Sequence, residues 1–230
     1  MFVQFDVLVP MVSISTFIRM AAAAVVAGIL LTGCGGTHAV NMEAVDRDGY
    51  FEALQPLEDG AVAYTFDSEV EAGKARPRTE DYENPLMLTT KVEHDQPGRL
   101  RDLTGRYLER RFAGVDAGAD TEVQAHLRQF QVSKWVPGSN MAALSKAADA
   151  DTEEGVEGAV GARLSAHVRV LEDGSLTDST TIRVDAERRY EIGGSGSHWE
   201  KVIADLNGRY LDALDAFIAG GDPKAPASRR

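Results

Sequence analysis

The residue with the most distinctive chemistry is Cys34, the only cysteine in the 230-residue chain. It follows a run rich in alanine, valine and leucine over residues 20–31, with small residues directly before it. Arg19 stands in front of that run. The run is shorter than the roughly 20 apolar residues that a helix needs to span a bilayer. A basic residue, a short apolar core and small residues are the parts of a secretory signal. The sequence therefore predicts that residues 1–33 are a signal peptide.

The motif Leu31-Thr32-Gly33-Cys34 resembles the lipobox of bacterial lipoproteins, in which a leucine and two small residues precede the cysteine. In that family the cysteine is acylated and becomes the first residue of the mature chain. The resemblance implies that Cys34 is a lipidation site and that acyl chains anchor the protein in a membrane. A thiol used in this way forms no disulfide, so the core alone must stabilise the folded part.

The same resemblance implies a place in the bacterial cell envelope. In the enteric sorting pattern, an aspartate after the lipidated cysteine retains a lipoprotein in the inner membrane. Gly35 occupies that position here, which favours the outer membrane, with the domain facing the periplasm. The true start of the chain, Met1 or Met11, stays open because both precede a plausible signal.

The net charge of −12 belongs to the mature part of the chain. Residues 1–33 contain one acid, Asp6, and one base, Arg19, which cancel. A chain this acidic is not expected to bind nucleic acid electrostatically or to lie flat against anionic lipid. Its expected partners are the membrane, through the acyl chains on Cys34, and another envelope protein.

Composition divides the mature chain into three parts. We interpret residues 34–60 as a lipidated tether and lead-in, and residues 61–219 as one envelope domain. Within that domain, residues 137–161 are acidic and rich in small residues, which predicts a loop insert. Residues 220–230 contain glycine and proline without an apolar period, which predicts a disordered tail.

Alternation of apolar and polar residues predicts the strands. Residues 164–170 and 182–190 alternate on either side of a turn, which predicts a β-hairpin with a charged outer face. A strand is predicted near residues 62–66. Another begins at Val123, and its alternation changes phase at Phe130, which predicts a β-bulge.

Apolar residues at three- and four-residue spacing predict two amphipathic helices, over residues 100–112 and 199–218. Residues 96–98, Gln-Pro-Gly, end the strand-like stretch before the first of them. Helices that return to a sheet give an α+β fold. We expect a two-layer sandwich of a mostly antiparallel sheet with both amphipathic helices packed on it.

The order of these elements is similar to that of small periplasm-facing lipoproteins of the YajG kind and of the auxiliary lipoproteins of lipid-trafficking ABC transporters. The segments that carry the similarity lie within residues 85–219: LRDLTGRYLERRF, VQAHLRQFQV, the hairpin ARLSAHVRVLEDG…TTIRVDAERRYEI and HWEKVIADLNGRYLDALDAFI. These families share no catalytic constellation. The resemblance therefore implies a structural or binding role.

Two clusters look like sites but lack the required spacing. The acidic stretch 149–155 has Glu154 where an EF-hand needs glycine and Val160 where it needs the final acid. The stretch 193–198 contains glycine, serine and histidine. However, Ser197 replaces the closing glycine of a nucleophile elbow, and Trp199 replaces the third glycine of a dinucleotide motif.

The histidines give no metal-binding spacing either. Glu93, His94 and Asp95 are adjacent, and adjacent side chains rarely converge on one ion. His126 and His167 lie on the polar faces of their predicted strands, and they meet only if those strands pair, which the sequence leaves open. We predict no catalytic residue, no cofactor and no metal site.

The leading hypothesis is a lipid-anchored, non-enzymatic envelope protein that acts as a binding or scaffold component. One alternative is an auxiliary lipoprotein of a transport system that binds a lipid or small molecule in an apolar groove between sheet and helices. Another is an envelope hydrolase. Trp135, at a strand end, is a candidate contact residue.

Overall fold

The computed structural model describes residues 37–40, 50–57, 59–77, 91–135, 157–191 and 198–220. The predictions for Cys34, the signal peptide, residues 149–155, the stretch 193–197 and the tail from residue 221 fall outside these residues. The strands and helices are β1 (Thr37–Ala39), α1 (Tyr50–Ala53), β2 (Ala63–Ser68), β3 (Gly73–Ala75), β4 (Lys91–His94), α2 (Gln96–Arg111), β5 (Thr121–Trp135), β6 (Glu157–Glu172), β7 (Ser175–Glu191) and α3 (His198–Ile218).

The larger sheet has four strands in the order β2-β5-β6-β7. β2 runs parallel to β5, whereas β5 with β6 and β6 with β7 are antiparallel. The predicted α+β fold, with a mostly antiparallel sheet and amphipathic helices, is confirmed. The parallel pair is possible because the chain passes through α2 between β2 and β5.

The hairpin of β6 and β7 turns through Asp173 and Gly174, which have φ angles of 50° and 75°. Two successive residues with positive φ give a turn whose twist matches that of the paired strands. β6 begins at Glu157, so residues 157–161, which the sequence assigned to the loop insert, belong to a strand. Their alternation is hidden because the successive residues Ala159 and Val160 are both buried.

The predicted bulge in β5 is confirmed. The register with β6 shifts between Leu127 and Gln129. Leu127 and Phe130 both face the core, at 0% and 9% exposed, and the two residues between them are exposed. The extra residue thus places Arg128 on the outer face of the sheet, opposite the helices.

The core lies between the larger sheet and the helices α2 and α3. α3 packs across β6 and β7, while α2 contacts α3 and β2. The predicted apolar stripes are buried, except that Ile218 is only partly so. The buried members are Leu100, Leu103, Tyr107, Leu108, Phe112, Trp199, Val202, Ile203, Leu206, Tyr210, Leu214 and Phe217. Among the described helices, none combines the length and hydropathy needed to cross a bilayer.

Residues 96–98 form the first turn of α2, not a break before it. The backbone N–H of Gly98 donates to the Asp95 carboxylate at 3.0 Å, so Asp95 caps the helix. Pro97 fits this turn because the N–H that proline lacks would have no partner within the helix.

Polar side chains join α2 to α3 within the core. Gln96 donates to Asn207 at 2.6 Å, although each residue is almost fully buried. Near the other end of α2, Asp215 accepts from the Tyr107 hydroxyl at 2.9 Å and pairs with Arg111 at 2.7 Å. Because a buried polar group is costly without a partner, these contacts fix how the two helices align.

A second, three-stranded sheet has the order β1-β4-β3. It was not predicted, and β1 lies in the part of the chain interpreted as a tether. Val40, directly after β1, is 7% exposed, and its N–H donates to the backbone carbonyl oxygen of Glu93 at 3.1 Å. Three-residue strands such as β1 and β3 are too short to display an alternating pattern.

Candidate ligand-binding cleft on the outer face of the sheet

The face of the larger sheet opposite the helices carries an open cleft with a volume of about 370 Å³. β2, β5 and β6 line it, and apolar residues on the same strands point to the core. Its titratable side chains are Asp67, His126, Arg128, His167 and Arg169. The cleft therefore combines one acid with two guanidinium groups and two imidazoles.

His126 lies at the centre of a row of cross-strand pairs. It is opposite Asp67 of β2 and His167 of β6. The strands that the sequence could not pair are thus neighbours. The Nδ1 of His126 is 3.2 Å from Asp67, and its Nε2 is 2.9 Å from Glu69. Each ring nitrogen of His126 is thus within 3.2 Å of a carboxylate.

These contacts position His126 more than they stabilise the fold. The side chains of Asp67 and Glu69 are 83% and 63% exposed. Solvent-exposed ion pairs contribute about 0–1 kcal/mol. Their effect on the cleft is that both carboxylates are directed at His126.

His167 has a different environment. Its Nδ1 is 3.2 Å from the Thr181 hydroxyl of β7. Burial lowers the pKa of His167, and the positive charges of Arg128 and Arg169 lower it further. The ring is therefore neutral at pH 7, and two guanidinium groups lie close enough to act on it.

The other carboxylate near the cleft is already engaged. Glu122 accepts hydrogen bonds from Thr65 at 3.0 Å and from Gln124 at 3.1 Å. Arg128 and Arg169 are exposed, and over the described residues neither has a carboxylate within ion-pair distance. The cleft thus offers two guanidinium groups that form no ion pair with a described residue, in a chain of net charge −12.

The other sequence candidates do not converge. His94 is buried, accepts the Gln96 N–H at 3.3 Å and packs on Phe130 with ring centroids 4.6 Å apart. Burial lowers the pKa of His94, so it is a neutral core residue. Glu93 points to the opposite face of β4 from His94. No group of three His, Cys, Asp or Glu side chains in the described ranges is arranged to hold a metal ion.

His198 begins α3 and stacks on Tyr190, with ring centroids 4.8 Å apart. Its serine neighbours in the sequence, and the side chain of Trp135, lie outside the described residues. Arg128 and Arg169 were not among the site residues considered from the sequence. The phase change that predicts the bulge was a signal for Arg128, because the extra residue must point away from the core.

Replacing Arg169 with glutamine is expected to raise the pKa of His167 towards its ordinary value. The substitution removes one of the two positive charges that disfavour the protonated ring. The control is Arg163→Gln, an exposed arginine on the same face of β6 that does not line this cleft. NMR titration of the ring protons measures both variants. An unchanged pKa of His167 in Arg169→Gln would show that this charge does not reach the ring.

The fold and this cleft define a class of protein: an α+β domain with helices on one face of its larger sheet and an open, polar, partly basic cleft on the other. Comparison of the sequence with protein-family models and with curated proteins gives no match.

Solved structures give similarities at low identity. A protein of the family DUF330 from Xanthomonas campestris has a TM-score of 0.46 and 11% identity, covering 80% of this chain and 96% of that one. Rare lipoprotein B from Shewanella oneidensis has a TM-score of 0.34 and 11% identity, covering 69% and 92%. A minor lipoprotein from Acinetobacter baumannii has a TM-score of 0.34 and 11% identity, covering 69% and 94%. At these values the similarities establish no family membership.

Proposed function

We propose that this chain is a lipid-anchored, non-enzymatic component of the bacterial cell envelope that acts by binding another envelope protein. The observation that carries the proposal is the motif Leu31-Thr32-Gly33-Cys34 directly after a basic residue and a short apolar core. The basic residue, the apolar core and the cysteine motif are each common in proteins, but their order here is the one that export and acylation require. The presence of a single cysteine is then explained by its role as the lipid attachment site.

The anchor determines where the domain works. Two or more acyl chains hold a protein on a membrane far more firmly than one chain. With Gly35 after the cysteine, the proposed location is the outer membrane, with the domain in the periplasm. Residues 34–36 would then form the connection between the lipid and the first strand, β1.

The packing of the core favours a protein partner over a lipid carried between sheet and helices. Leu164 on β6 and Leu206 and Leu214 on α3 are each 0% exposed. Among the described residues, the layer between α3 and the sheet is therefore filled by the protein's own side chains. Binding is thus expected on the surface of the domain.

The acidic insert is our candidate for the protein contact. Residues 137–156 lie outside the described residues and connect the end of β5 to the start of β6. They contain Asp149, Asp151, Glu153 and Glu154 but few large apolar residues. Connections of this length in compact domains are usually functional or disordered.

Replacing residues 137–156 with a short Gly/Ser linker is expected to leave the fold intact and to abolish partner capture. Loop length adds little to stability, because each doubling costs only about 0.6 kcal/mol. The measurement is crosslinking of the full chain in membranes, followed by co-purification. The control is an insert of unchanged composition but shuffled order, which should capture the partner if acidity is what matters.

Capture that survives the linker replacement would place the contact elsewhere on the domain. The charged outer face of the hairpin, with Arg183, Glu187 and Arg189, would be tested next. If neither the linker replacement nor substitutions on that hairpin face reduce partner capture, the proposal that the surface of the domain binds a protein is overturned.

A further inference from the structure

The cleft is lined by two arginines and one acid, in a chain whose net charge is −12. Arg169 lies two residues beyond His167 on β6, and Arg128 lies on β5 next to the pair Leu127–Ala166, so the two arginines flank His167 along the strands. Asp67 and Glu69 contact His126, and Glu122 accepts hydrogen bonds from Thr65 and Gln124. Among the described residues, no carboxylate forms an ion pair with either guanidinium group, so both can bind a ligand.

We propose that the cleft formed by β2, β5 and β6 binds a phosphate-type oxyanion, held by the guanidinium groups of Arg128 and Arg169 beside His167. This site goes beyond the proposed function, because it depends neither on the lipid anchor nor on a protein partner. On β6 the cleft residue His167 is ten residues from Glu157, the first described residue after the insert, about 33 Å at 3.3 Å per residue.

The chemistry of arginine indicates the ligand class. A guanidinium group presents parallel N–H donors that match two oxygens of a carboxylate or a phosphate. One arginine suffices for a carboxylate, whereas two arginines from neighbouring strands can each take a different edge of a tetrahedral anion. The volume of about 370 Å³ leaves room for an organic group attached to the phosphate.

The neutral state of His167 suits this role. Without an anion, protonating the ring would bring a third positive charge beside Arg128 and Arg169. A bound oxyanion neutralises that repulsion and accepts a hydrogen bond from an N–H of the ring. Arg128 reaches the cleft because the bulge in β5 turns it outward.

The phosphate could be free in the periplasm or belong to the headgroup of a phospholipid. The two sources share the chemistry of the site and differ in whether the phosphate is unesterified or a diester. Because the chain as a whole is acidic, a headgroup would bind as a single molecule and not as part of a broad anionic surface.

The test is a titration with inorganic phosphate of the full chain, purified in a neutral detergent. Binding is monitored by NMR at constant ionic strength. We expect saturable binding whose Kd rises at least about tenfold in Arg128→Gln and in Arg169→Gln, as the loss of a charge-assisted hydrogen bond predicts. The matched control is Arg163→Gln, which makes the same charge change on the same face of β6 and should alter Kd less than about twofold. Both cleft arginines are exposed, so the variants are expected to fold.

A second titration uses glycerophosphoglycerol, the soluble headgroup of phosphatidylglycerol. Tighter binding than inorganic phosphate, lost in the same arginine variants, identifies a headgroup as the natural source. Tighter binding of inorganic phosphate identifies a free phosphate. The proposal is overturned if neither probe saturates up to about 10 mM, or if Arg163→Gln weakens binding as much as the cleft variants do.

Discussion

Replacing Leu206 with alanine is expected to lower the free energy of unfolding by about 2–5 kcal/mol. Leu206 lies in the middle of α3 and is 0% exposed. Its loss removes apolar contacts and leaves a cavity that the surrounding side chains fill only in part. Since a domain is stabilised by only about 5–15 kcal/mol in total, this is a large share.

The control for Leu206→Ala makes the same chemical change where no core contact is lost. Leu176 follows the turn between β6 and β7 and is 59% exposed. Leu176→Ala should therefore change the free energy of unfolding by less than about 0.5 kcal/mol. Urea denaturation of the full chain compares the two. Equal destabilisation by both changes would contradict the assignment of α3 as the helix that closes the core.

Replacing Cys34 with alanine is expected to abolish lipid attachment and membrane retention completely. Lipid is attached to the sulfur of the Cys34 thiol, and the alanine side chain offers no substitute nucleophile. Metabolic labelling with a fatty acid, combined with membrane fractionation, measures both effects. The control is Thr32→Ala, which keeps a small residue before the cysteine and should remain labelled. Labelling that persists in Cys34→Ala would contradict the proposed anchor.

The elements that the sequence predicted best are those with one face buried and one in water. α3 has apolar side chains at three- and four-residue spacing because only one side contacts the sheet. The second half of the hairpin alternates for the same reason: Ile182 and Ala186 are buried, whereas Arg183, Asp185 and Glu187 are exposed. The phase change in β5 indicated the bulge because the core demands a continuous apolar face.

Other elements left no pattern to detect. β1 and β3 have three residues each, which is too few to show a period. The start of β6 is buried on successive residues, so it resembled a small-residue loop. The helix α2 begins at Gln96, two residues before Gly98, the last of the residues predicted to break the strand, because Pro97 and Gly98 fit its capped first turn.

The cleft is the feature that sequence reasoning had least chance to find. Its residues come from three strands, and Asp67, His126 and His167 become neighbours only through the pairing of β2, β5 and β6. Such pairing is non-local, and a shift of one residue would turn each side chain to the other face. The sequence did place both histidines on polar faces, which was necessary for the cleft but not sufficient to define it.

The most direct test of the proposed lipid anchor is mass spectrometry of the N-terminal peptide of the protein extracted from membranes. We predict that the mature chain begins at Cys34, that this residue carries acyl chains, and that no peptide from residues 1–33 remains attached. A peptide in which an unmodified Cys34 is still joined to Gly33 would contradict it.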